Sequence, residues 1–244
     1  MSFLSTLFKQ SAPVNFLQVD MHSHLIPGID DGVSTLEESI HTILSLQELG
    51  YKRAITTPHI MGDFFKNTPK NINEGLEIVK SELKKQNIDF NLQAAAEYYL
   101  DEWFVEKLEF NTPLLTFGDN YLLVETSYMN KPNNLNEIIF KIKTRGYKVI
   151  LAHPERYTYM YHNFNEYIEL YNRGVLFQIN LNSLAGYYSP AAKTIAEKLI
   201  DNDMVDFVGT DCHGSRHIPH LKKSLATKSF AKIKPSRILN NTLS

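Results

Sequence analysis

Cysteine is almost missing from this chain of 244 residues: Cys212 stands alone, so no internal disulfide can form. That fits a reducing compartment. Long apolar runs are missing as well. No stretch approaches the ~18 apolar residues of a membrane span, and the N-terminus lacks the basic start and long apolar core of a secretory signal. Positive charge is not in excess, and a net charge of −2 gives no electrostatic reason to expect nucleic-acid binding. Linkers rich in Pro, Gly or Ser, internal repeats and low-complexity tracts are also lacking. These absences leave a soluble, cytoplasmic globular protein with ample material for a core, of a length that suits one large domain or two small ones. Phe3, Leu4, Leu7 and Phe8 could form one helical stripe that touches a membrane or partner; packing on the domain or fraying is the preferred reading.

Strand and helix signals alternate along the rest. A strand at 16–19 is followed by the capping box Ser34-Thr35-Leu36-Glu37 and a helix with Leu36, Ile40, Ile43 and Leu44 on its apolar stripe, closed by Gly50. Further strands are expected at 52–57, 89–96, 121–124, 147–152, 175–181 and 205–210. Helices are expected over 71–86, 101–109, 135–144, 165–172 and 219–232, and from the Ser189-Pro190 start to about 199. Seven β/α units imply a parallel sheet with helices packed around it.

Metal-binding residue types stand at the strand ends. The first strand runs into Asp20, His22 and His24, which period-two alternation puts on one face, with Asp30-Asp31 in the loop behind. Later strands end at His59, Glu97, Glu125, His153, Asn180, Asn182, Asp211 and His213. Each has an ordinary reading alone: a glutamate marking exit to solvent, a loop histidine bonded to backbone, Asp31 in a turn beside Gly32. Asn180 and Asn182 keep the ordinary reading, as groups that satisfy buried backbone. The recurrence at nearly every strand end is what points to metal. A closed barrel brings all such ends to one mouth, whereas an open sheet would spread them along a line, so the barrel is expected.

Nitrogen and oxygen donors without thiolate, too many for one ion, suit a cluster of Mn²⁺, Fe²⁺, Zn²⁺ or Mg²⁺. Such clusters hydrolyse phosphate esters. Arg156 and Arg216, each three residues past a histidine, are then candidate phosphate ligands, with surface salt bridges as the alternative. Cys212 and Arg216 lack the spacing of a thiolate phosphate loop, and alternation turns Cys212 away from Asp211 and His213. It is read as a packed residue.

With these residues in place, the chain resembles the PHP (polymerase and histidinol phosphatase) superfamily. Within it, the chain is most similar to the PHP-type protein-tyrosine phosphatases of bacterial capsule and exopolysaccharide systems, the CpsB/CapC/YwqE group. The segments carrying the resemblance run from Asp20 through Gly32, then Thr57-Pro58-His59, His153-Pro154-Glu155-Arg156 and Thr210-Asp211-Cys212-His213. The resemblance implies a distorted, TIM-like (β/α)₇ barrel, here one PHP domain over residues 1–244 with residues 1–15 as an N-terminal extension. It also implies three divalent ions, usually Mn²⁺. By that resemblance His22, His24, Glu97 and Asp211 would hold one ion. Glu97 would bridge to a second with Glu125 and His153, and Asp31, His59 and His213 would hold the third. Asp20 would orient a ligand histidine, Arg156 would grip phosphate, and Arg216 would match a second arginine. The Tyr157–Tyr161 stretch is hard to align; it would shape the substrate mouth or simply pack.

The implied activity is hydrolysis of phosphotyrosine on a protein, a capsule-system tyrosine kinase, by in-line attack of a metal-bridging hydroxide. Its rivals are a small-molecule phosphatase such as one for histidinol phosphate, a PHP nuclease, which the acidic balance disfavours, and a metal-stabilised interaction module.

Overall fold

Nine short strands, all paired in parallel, form two sheets in the computed structural model, which describes residues 15–243. The apolar stripe at Phe3–Phe8 lies outside the described residues. In chain order the elements are β1 (Val19–Asp20), α1 (Leu36–Glu48), β2 (Arg53–Thr56), β3 (His59–Ile60), α2 (Pro69–Lys85), β4 (Asn91–Ala94), β5 (Glu97–Tyr99), α3 (Glu102–Glu109) and β6 (Tyr121–Glu125). Then come α4 (Leu135–Thr144), β7 (Lys148–Ala152), α5 (Phe164–Asn172), β8 (Leu176–Asn180), α6 (Pro190–Asp201), β9 (Phe207–Gly209), α7 (Ile218–Leu225) and α8 (Lys228–Lys232). The alternation expected from the sequence is present. The strands expected at 52–57 and 89–96 are present as β2 and β4, and each is followed, after a break, by a further short strand, β3 or β5, beyond the expected bounds.

The breaks have local causes. Between β2 and β3 stands Thr57-Pro58, and proline has no N–H to give to a ladder. Between β4 and β5 stand Ala95 and Ala96. At these points the chain leaves one sheet, ordered β1-β2-β4, and joins the other, ordered β3-β5-β6-β7-β8-β9. The Ala95 N–H still donates to Thr56 O at 2.9 Å and the Glu97 N–H to Pro58 O at 3.1 Å. At the far side, the Asp211 N–H donates to His22 O at 2.8 Å and the His24 N–H to Cys212 O at 3.0 Å, beside a parallel bridge from Ser23 to Cys212. Lower on that seam, the buried Asn240 amide donates to Val19 O and Val208 O at 2.9 and 2.7 Å. It also accepts from the Val208 N–H at 3.0 Å. One side chain thus spans the gap between β1 and β9.

Alternate strand residues sort into two apolar layers. Ala54, Leu92, Leu122, Val149, Phe177 and Val208 pack against the helices. Val19, Ile55, Ala95, Leu123, Ile150 and Phe207, from the opposite face, pack against one another.

Several local expectations need correction. Thr35, not Ser34, caps α1: its hydroxyl accepts from the Glu38 N–H, while the Glu38 carboxylate accepts from the Ser34 N–H. Leu46 takes the core position expected of Leu44, which is 38% exposed. The last helix is two, α7 and α8, because Thr227 starts a new cap on Phe230.

Candidate metal centre

The nine sequence-identified metal candidates arrive from six segments, after β1, at the starts of β3 and β5, at the end of β6, and after β7 and β9, and all nine meet. Four overlapping sets each bring one ligand atom per residue within 4.8 Å of the others: His24, Asp31, His59 and His213; His22, His24 and Asp211; His22, Glu97 and His153; His59, Glu97 and Glu125. His22, His24, His59 and Glu97 each belong to two sets, so the sets form one continuous centre. Glu97 and Glu125 follow Ala95 and Leu123 at period two, which continues the inward face of their strands up to the mouth. His153 does not follow from alternation, since Ile150 and Ala152 already face inward. Its left-handed backbone (φ 33°, ψ 53°) brings it back to the cluster. Asp211 also has positive φ, at 48°.

Burial and proximity set the charges. The Nε2 atom of His22 lies 3.1 Å from Glu97 Oε2 and 3.4 Å from Asp211 Oδ1. Burial opposes charging of the His22 ring, but Glu97 and Asp211 outweigh it and raise its pKa to about 9. Burial likewise opposes charging of His24, and Asp30 leads the groups that carry it to about 9. Burial disfavours the charged forms of Glu97 and Asp211 too, yet His22 beside both, with His59 on Glu97 and His213 on Asp211, holds each well below the carboxylate range. Some members of the cluster stay unpaired in spite of the crowding. Glu97 Oε1, His59 Nδ1 and His153 Nδ1 are buried and make no aligned hydrogen bond. His22 Nε2 faces His24 Nε2 at 3.4 Å. Imidazole nitrogens and carboxylate oxygens crowded this closely, with buried members left unpaired, fit divalent cations, and the N/O donor set matches that chemistry.

The centre opens to solvent on one side. Asp31, 57% exposed at its side chain, reaches His59 and His213 at 3.4 and 3.3 Å. Arg156, Tyr128, Tyr188 and Arg216 line the same cleft. The Arg156 guanidinium lies between the rings of Tyr128 and Tyr188, 4.3 and 4.1 Å from their centroids, and its Nη1 donates to Asp211 Oδ2 at 3.1 Å. One donor is committed and the planar group is clamped in orientation. Arg216 is exposed on the rim. Cys212 is buried in the core away from the cleft, and burial pushes its thiol up to about 12. A thiolate nucleophile is ruled out on both counts.

Residues 18–239 match the family described as capsular polysaccharide synthesis, CpsB/CapC. This chain belongs to the CpsB/CapC family. It is 27% identical over 208 residues to the putative tyrosine-protein phosphatase CapC of Staphylococcus aureus, covering 85% of this chain and 81% of that protein. It is also 27% identical over 196 residues to the tyrosine-protein phosphatase YwqE of Bacillus subtilis, covering 80% and 77%. Among solved structures, one from a crystallographic study of YwqE and of Streptococcus pneumoniae CpsB, described as metal-dependent tyrosine phosphatases, superimposes with a TM-score of 0.76. It does so at 24% identity, over 86% of this chain and 89% of that one. An amidohydrolase from Mycoplasma synoviae shares the fold more distantly, with a TM-score of 0.55 and 12% identity.

Around this CpsB/CapC-family centre stand residues that the sequence does not single out. The carboxylate that orients a histidine is Asp30, whose Oδ2 lies 2.7 Å from His24 Nδ1. Asp20, expected in that part, instead accepts from the Thr210 N–H and hydroxyl at 2.9 and 2.7 Å. Asn180, read as a backbone partner, donates from Nδ2 to Asp211 Oδ2 at 2.6 Å. Gln178 lies 2.8 Å from His22 Nδ1. The signal for both is present as Gln and Asn two apart on one face of an otherwise apolar strand. Nothing in the sequence marks Tyr128 or Tyr188. Of the Tyr157–Tyr161 stretch, Tyr157 is fully buried and accepts the Thr126 N–H, so it packs.

Proposed function

We propose that this chain is a metal-dependent phosphomonoester hydrolase acting as a protein-tyrosine phosphatase. The observation that carries this reading is the meeting of nine N/O donors beside one clamped arginine, in an open cleft. His22, His24, Glu97 and Asp211 would hold one ion, Glu97 would extend to a second with Glu125 and His153, and Asp31, His59 and His213 would hold a third. When bound, such ions polarise a phosphoryl group and bring a water toward ionisation at neutral pH; Mn²⁺ is the ion we favour, with Fe²⁺, Zn²⁺ or Mg²⁺ as alternatives.

The chain's own residues do the rest. Arg156 would bind two phosphoryl oxygens with the guanidinium edge that Asp211 leaves free, and the flanking rings keep that edge facing the cleft. Arg216 on the rim would add a second positive contact. Phenolate is a fair leaving group, with a pKa of about 10, so no dedicated acid is required of the side chains. The substrate reading follows the names of the curated relatives, and the partner we favour is a capsule-system tyrosine kinase in the cytoplasm. No helix among the described residues is long and apolar enough to cross a membrane. The inward apolar layer and the seam between β1 and β9 support treating both sheets as one distorted (β/α)₇ barrel, and the chain as one domain with an N-terminal extension.

Elemental analysis of purified protein, paired with hydrolysis of a phosphotyrosyl peptide before and after chelation, tests the reading. Turnover should vanish on chelation and return with Mn²⁺, and His153→Ala should abolish it while leaving the fold intact. A higher kcat/KM on histidinol phosphate than on the peptide would transfer the assignment to small-molecule substrates. Full metal occupancy with no aryl phosphate hydrolysis would make the chain an interaction module.

A further inference from the structure

Two amide side chains that touch no solvent run between His22 and Asp211. Asp211 Oδ2 can only accept from the amide, so Asn180, at 2.6 Å, must present its NH₂ group there. That leaves Asn180 Oδ1 as an acceptor, and Gln178 Nε2 donates to it at 2.9 Å. Gln178 in turn is left with Oε1, which lies 2.8 Å from His22 Nδ1 and needs a donor. Each link dictates the next. The Nδ1 atom of His22 must carry the hydrogen, and Nε2 is left to face Glu97 and His24.

We propose, resting on the metal reading above, that Gln178 and Asn180 are positioning residues. They form an oriented amide relay that selects the His22 tautomer and holds Asp211 with Oδ1 toward the ions. His24 obtains the same service directly from Asp30. His22 has no carboxylate behind it and obtains it through two amides from a carboxylate that is itself a ligand. The two ligands are thereby tied together, and on the cleft side Arg156 Nη1 and the Tyr188 hydroxyl also donate to Asp211 Oδ2, at 3.1 and 3.2 Å.

Two further features belong to the relay. All four side chains are buried, with Gln178, Asn180 and His22 fully so, and no solvent can replace a lost link. Gly209 makes room for it: a Cβ there would sit 2.7 Å from His22 Cβ and 2.8 Å from Gln178 Nε2. The backbone of Asn180 is fixed as well, because its N–H donates to Glu155 Oε1 at 2.9 Å.

The test is a double-mutant cycle on Mn²⁺ affinity, measured by chelator competition, with Gln178→Met, Asn180→Leu and the pair. Each single change should weaken binding by roughly 10- to 100-fold. The pair should be no weaker than the worse single, because one broken link already frees the whole chain. A second readout is the His22 ring in Zn²⁺-loaded protein carrying ¹⁵N-histidine. In the wild type its Nδ1–H should exchange slowly. Asn180→Leu should make it exchange fast, although Asn180 shares no hydrogen bond with His22. Additive losses in the cycle, or an unchanged His22 Nδ1–H in Asn180→Leu, would overturn the relay while leaving the metal reading in place. Wild-type protein that binds neither ion would remove the metal reading itself, and the relay with it. Should Asn180→Leu not fold, the smaller Asn180→Ala takes its place, because it removes the same link without crowding His22. Weakened Mn²⁺ binding with fast Nδ1–H exchange would then support the relay, and no change in either would overturn it.

Discussion

At the scale of single residues, the cleft assigns different work to chemically similar groups. Arg156 is clamped between two rings and Arg216 stands on the rim, so they should not respond alike to substitution. Arg156→Lys keeps the charge but loses the planar fork. It should lower kcat/KM for a phosphotyrosyl peptide roughly tenfold or more, chiefly through KM, with metal content unchanged; steady-state kinetics and elemental analysis check both halves. Cys212→Ala should leave turnover unaltered and cost about 1 kcal/mol in thermal or denaturant stability, because the thiol only fills core volume. Loss of activity in that variant would return the thiol to the mechanism. The ligand candidates are legible in the sequence because histidine and carboxylate at the end of an apolar strand are unusual and recur. Asp30 is visible but indistinguishable from Asp31 in an Asp-Asp pair. Tyr128 and Tyr188 are illegible, since an aromatic residue in a loop has the same local sequence whether it packs or clamps a guanidinium.

At the scale of elements, helix caps are more legible than strand limits. Ser189 caps α6 as its Ser-Pro signal requires, accepting the Ala192 N–H at 3.0 Å. Ser189→Ala should therefore cost about 1 kcal/mol, seen as a lowered denaturation midpoint, with kcat unchanged. The strand breaks depart from the sequence expectation. Pro58 draws attention as the neighbour of a ligand histidine, but its missing N–H also ends a ladder, and that is the one sequence sign of the first break. Ala95-Ala96 carries no signal of a break at all; the switch between sheets there is a product of tertiary pairing. The cap of α1 shifts by one residue because Ser34 and Thr35 are both good caps, and only the reach of the Glu38 carboxylate decides between them.

At the scale of the whole molecule, the centre couples charge to stability. In metal-free protein His22 and His24 hold protons up to about pH 9, against a reference value of 6.5. The folded state thus binds more protons than the unfolded chain between those values. Their contribution is fully present below pH 6.5 and is lost as pH rises through 9. Melting curves of chelated protein should therefore show a falling midpoint across that window. Protein supplied with Mn²⁺ should show the opposite slope in metal-induced stabilisation, since ions compete with those protons. The seam has a consequence for biosynthesis. Asp20 and Thr210 hydrogen-bond across 190 positions, and Asn240 fastens their strands from beyond both. The first strand cannot be latched to the last before Asn240 has been made, so the centre closes only once the whole span from Val19 to Asn240 is available. Replacing Asn240, which is remote from every ligand, would remove the latch between β1 and β9.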